Sequence, residues 1–120
     1  MKNIQELLCS RGISPDKRIK IIRFKDYDMF AYDKPLFLEY QAVQKGDIFK
    51  DVDFIISFVG ADIASAIFVG VFEILGKTDT DGFCRYDLRE VCGFDDLKQH
   101  QYNLHTWQQW LPMATDVVEL

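Results

Sequence analysis

The chain has 120 residues, 48% apolar and 28% charged, the make-up of one soluble globular domain rather than a disordered tail. Its formal net charge is −5, and no stretch supplies the roughly 20 apolar residues that a membrane helix needs. Glu6 and Arg11 interrupt the N-terminus too early for a signal-peptide core, so the expected location is the cytoplasm, with no membrane partner.

Asn3 precedes Ile4, Leu7 and Leu8 at helical spacing, which predicts a short helix capped by Asn3 and stopped by Gly12. Ser14-Pro15-Asp16 reads as a turn. From Arg18 to Lys25, Ile19, Ile21 and their aliphatic neighbours alternate with basic side chains, as on a half-exposed strand. Residues 1–25 carry seven basic side chains against two acidic ones, whereas the remainder carries seven against seventeen. Such a basic face either meets phosphate or is a solvated strand edge whose lysines discourage pairing.

Lys25 to Lys34 reads as a polar loop that folds its aromatics, Tyr27, Phe30 and Tyr32, back over the domain. Pro35 opens a helix over Leu36 to Gln44, because the first helical turn does not need proline's missing N–H. Leu36, Phe37, Tyr40 and Val43 are expected on one face. Two short apolar runs follow, Asp53 to Val59 and Ile67 to Leu75, joined by a loop from Gly60 to Ala66. They predict paired, buried strands. Phe54, Ile56 and Phe58 share one face of the first, and Phe68, Gly70, Phe72 and Ile74 one face of the second. Gly70 in mid-strand marks a bend or a close approach.

Lys77 to Gly82 is a turn-rich connector, Phe83 to Leu88 a third strand, and Asp95-Asp96-Leu97 a helical turn. Gln99 to Met113 shows no clear period, and Val117 to Leu120 enters a last strand. The expectation is an α+β domain spanning 1–120: a small, mostly antiparallel β-barrel or bent sheet with one or two packed helices.

No catalytic motif stands out, and no cofactor or metal is expected. Three cysteines, Cys9, Cys84 and Cys92, form no tight pair. Cys84, Cys92, His100 and His105 have zinc-ligand chemistry, but their spacing lacks the short knuckle that would predict convergence. Asp79-Thr-Asp81-Gly82 lacks the remaining ligands of a calcium loop. The aromatics are the stronger lead. Tyr40 with Phe58 or Trp107 offers faces on which a flipped or single-stranded base stacks. Gln41 and Gln44 would meet base edges, and Arg23 and Lys25 phosphate. Core packing is the competing reading for each ring.

Lys45-Gly46-Asp47, Phe54 to Gly60 and Phe68 to Ile74 together are similar to the core of PUA-like domains, which include the EVE and ASCH domains and readers of modified bases. Ile22 to Asp26, Phe37 to Gln44, Phe54 to Gly60 and Phe68 to Glu73 also resemble, in order, the N-terminal region of bacterial GIY-YIG nuclease family proteins. The nuclease's own Gly-Ile-Tyr and Tyr-Ile-Gly segments are absent. The resemblance implies a non-catalytic accessory domain that recognises nucleic acid, DNA foremost, beside a nuclease domain or partner protein. The alternative is a protein–protein interaction module, which the overall acidity favours.

Overall fold

A computed structural model describes residues 8–14, 16–60, 65–99, 101–103 and 117–119. The first strand, β1 (Ile19–Phe24), leads into two helices, α1 (Tyr27–Tyr32) and α2 (Lys34–Ala42). Then come β2 (Val43–Lys45), β3 (Phe54–Gly60), β4 (Ser65–Thr80) and β5 (Phe83–Glu90). A 3-10 turn (Asp95–Gln99), β6 (Gln101–Asn103) and β7 (Val117–Glu119) complete the order.

The strands form one mixed sheet in the order β2-β5-β4-β3-β1-β7, with β6 on β4. β1 runs parallel to both β3 and β7, and the other pairings are antiparallel. Ala66 pairs with Gly60 on one side and Tyr102 on the other, while Phe72 pairs with Ile55 and Glu90. β5 and β6 therefore share the edge of β4 away from β3. The α+β class and the bent, mostly antiparallel sheet match expectation.

At β3 each face of the sheet is buried, which is why that strand reads as a continuous apolar run. On one face Ile21, Phe54, Ile56, Phe58, Phe68 and Val71 pack under Leu8 and Phe94. On the other, Ile22, Phe24, Ile55, Val59, Val69 and Phe72 pack under Phe37 of α2 and Phe49 of the 46–52 connection. Burying each such side chain contributes about 1.5–3 kcal/mol relative to leaving it in water.

Four expectations are corrected. β1 is a central strand, not a half-exposed one: Ile21, Ile22, Arg23 and Phe24 are all buried between β3 and β7. Lys25 to Lys34 is not a loop. Asp26 caps α1 by accepting from Met29 N–H (3.0 Å), and Asp33 caps α2 by accepting from Leu36 N–H (3.2 Å). In α2 the buried positions are Phe37 and Gln41, while Leu36 and Tyr40 are exposed. The connector shrinks to Asp81 and Gly82, both at positive φ (48° and 83°), with Thr80 paired to Phe83. That is a two-residue Asp-Gly hairpin turn, whose backbone twist matches the strands it joins.

The face assignment in β4 is also revised. Ser57 pairs with Gly70 and Phe58 with Phe68, so Val69 is an extra residue, a β-bulge. The bulge exchanges the two faces. Phe68 joins the layer of Phe58, their rings edge-on at 5.5 Å, whereas Val69, Phe72 and Ile74 turn to the α2 layer. The bend expected at Gly70 is present. A Cβ there would lie 3.1 Å from Glu90 Oε1 and 3.2 Å from the Phe72 ring.

Candidate nucleic-acid interface

α2 lies on the sheet with an opening along each flank. On the α1 side, Phe24, Met29, Phe37 and Val43 floor a hollow of about 340 Å³. Phe37 is the centre of this floor, edge-on to Phe24 and to Phe30 at 5.3 Å each. Lys25, Asp26, Tyr40 and Gln44 form the rim. Lys25 is exposed and makes no ion pair among the described residues. Tyr40 is 59% exposed, so its ring is open to a stacking partner. Gln44 folds back and donates to the carbonyls of Gln41 (3.1 Å) and Tyr40 (3.3 Å), closing the end of α2. Its Oε1 remains as the acceptor it can offer a ligand.

The structure thus gathers Lys25, Tyr40 and Gln44, and separates the other candidates. Arg23 is 8% exposed, and its guanidinium fills the space beside Gly60, where a Cβ would lie 2.5 Å from Nη2. It pairs in register with Phe58, which is buried against Phe68. Both belong to the opposite layer from the hollow, so Arg23 is a core arginine and Phe58 a core ring. Gln41 is buried on the other flank of α2. Trp107 lies outside the described residues, as do His100 and His105.

Two further basic groups of the N-terminal quarter are engaged away from the hollow. Arg11 donates to Asp96 (2.6 and 2.9 Å) and to the Gly93 carbonyl, and its guanidinium lies over Phe94. Lys20 donates to the Ile48 carbonyl (2.6 Å).

Sequence reasoning missed a polar cluster beneath the β4–β5 hairpin. Tyr86 donates to Asp47 Oδ1 (2.5 Å) and accepts from Phe49 N–H (3.1 Å), while Lys77 donates to Asp47 Oδ2 (2.6 Å). The Lys77 and Tyr86 hydrogen bonds hold the Asp47 carboxyl below its ordinary range. Burial, and then the neighbouring carboxylate, push the Tyr86 phenol up. Cys84 donates to Asp79 Oδ1 (2.8 Å), and that carboxylate together with burial raises the thiol, the opposite of an activated nucleophile. The only sequence signals were Asp47 inside Lys-Gly-Asp and the alternation of Cys84 and Tyr86. Among the described residues no three metal-ligating side chains come together, and no helix is long and apolar enough to cross a membrane.

No family model, curated protein or solved structure matches the chain.

Proposed function

We propose that this domain recognises nucleic acid, DNA foremost, without catalysing a reaction on it. The observation that carries the reading is the meeting of a cation, an open aromatic ring and a side-chain amide, Lys25, Tyr40 and Gln44, around one apolar hollow. A flipped or single-stranded base enters over Phe37 and stacks on Tyr40. Lys25 meets the flanking phosphate and Gln44 Oε1 a base N–H. The PUA-like resemblance supports the same reading and suggests service to a nuclease domain or partner protein.

The test is anisotropy titration of plain, single-stranded and modified-base DNA over a salt series. Affinity is expected to fall steeply with salt, and Lys25→Ala to reduce the log–log slope by about 1. Tyr40→Ala is expected to weaken binding by about 1–3 kcal/mol. Binding that is absent, or that ignores both salt and Tyr40, rejects the reading.

A second reading, a protein–protein module, is favoured by the scatter of the basic groups: Arg11 is engaged with Asp96 and Arg23 is buried. Tyr27, Tyr32, Leu36 and Tyr40 then form an exposed apolar docking face on the two helices. Salt-insensitive capture of a protein that Tyr40→Ala abolishes would select it.

A further inference from the structure

The other flank of α2 holds a second cavity, of about 520 Å³, between the helix and β4–β5. Its size is that of a small-molecule pocket. Phe72 and Leu88 give it an apolar wall, and Gln41 and Glu90 line it. Gln41 is 1% exposed. Its Oε1 accepts from Ser57 Oγ (2.5 Å), which fixes the amide, yet its Nε2 donates to no group among the described residues. A side-chain amide nitrogen on a cavity wall with no protein acceptor has a donor to offer a ligand.

The acceptor and its neighbour are set by the sheet. Ser57 pairs in register with Gly70, and Glu90 Oε1 sits 3.1 Å from where a Gly70 side chain would begin. Gly70 thus leaves room for the Glu90 carboxylate, which lines the same cavity as the Gln41 amide. Lys98 donates to that carboxylate, 3.1 Å from each oxygen. One donor and one acceptor in one cavity with an apolar wall complement a cyclic amide edge, a carbonyl oxygen next to a ring N–H.

We propose that this cavity binds a small planar heterocycle through its lactam edge: the carbonyl accepts from Gln41 Nε2, the ring N–H donates to Glu90, and the ring lies on Phe72 and Leu88. Uridine and guanosine carry such an edge. The site is independent of the hollow at Tyr40 and does not rest on the reading given for it.

The test is an amide-resolved NMR titration of the full chain with uridine, guanosine 5′-monophosphate, 3-methyluridine and adenosine. Uridine or guanosine 5′-monophosphate is expected to shift the Gln41 side-chain amide and the backbone amides of Gly70, Phe72 and Leu88. Methylation of the ring nitrogen, and the Gln41→Met and Glu90→Gln substitutions, are each expected to weaken binding by about tenfold or more, the worth of one lost hydrogen bond. Tyr40→Ala is expected to leave it unchanged. Glu90 is exposed, so Glu90→Gln keeps the test decisive if Gln41→Met fails to fold. The proposal is overturned if neither lactam compound binds at millimolar concentration, if 3-methyluridine or adenosine binds equally well, or if Glu90→Gln binds as the native chain does.

Discussion

Tyr86 shows how one side chain ties β5 to the 46–52 connection. Its ring packs on Phe49 at 4.8 Å, while its hydroxyl serves Asp47 and the Phe49 N–H at once. Tyr86→Phe keeps the ring and orphans a buried backbone donor. The expected loss is about 1–3 kcal/mol, read as a lower urea midpoint at constant m-value. Lys77→Ala, at an exposed ion pair, is expected to lose less. Asp47 also sets a pH dependence. Its folded carboxyl lies below the ordinary value of 3.8, so its contribution is present above that value and disappears as pH falls through the lower folded value. Asp47→Asn is expected to flatten the acid limb of the stability–pH curve below about pH 4, measured by urea denaturation across that range.

At the scale of elements, α2 positions both openings, and Asp33 positions α2. Its carboxylate caps the helix, and its own N–H donates to the Met29 carbonyl (2.8 Å), so one residue ends α1 and begins α2. Asp33→Ala is expected to cost about 0.5–2 kcal/mol in thermal or urea unfolding, with loss of helical circular dichroism. The helix itself was legible from Pro35 and the strand pair from its apolar runs. The orientation of the helix was not. Apolar counting placed Leu36 and Tyr40 inward, whereas the buried stripe is Phe37 and Gln41, four residues apart. A glutamine in that stripe is invisible to hydrophobic periodicity, because what admits it is Ser57, sixteen residues away. α1 was hidden for a related reason: its aspartate caps read equally well as loop residues. The tail of β4 beyond Gly76 was hidden because its polar residues stand in an exposed hairpin, where pairing rather than burial makes the strand.

For the whole molecule, the decisive placement is β1, inserted in parallel between β3 and β7. No local pattern announces it, since parallel neighbours come from distant sequence. It also explains how a strand so rich in basic residues is buried: Arg23 finds space at Gly60, and Lys20 reaches a carbonyl at the rim. This architecture predicts a gradient of stability. Amides of β1, β3 and the middle of β4 are expected to exchange with deuterium last, by global opening. Those of β2 and of the Asp81–Gly82 hairpin tip are expected to exchange earlier. Native-state exchange under increasing denaturant checks this, and a β2 protected as strongly as β3 would contradict it.

Val69 carries a consequence for how this chain tolerates change. Deleting it would close the ladder into regular pairing, Ser57 with Gly70 and Phe58 with Phe68, and leave every later position of β4 on its present face. What would be lost is one aliphatic side chain from the core beneath α2, and the extra twist that a bulge puts into its strand. Length at that point is thus held less strictly than at a regular position of the strand, where one residue removed turns all that follows to the other face. A homologue lacking Val69 should keep Phe72 beneath α2 with no compensating change in β3.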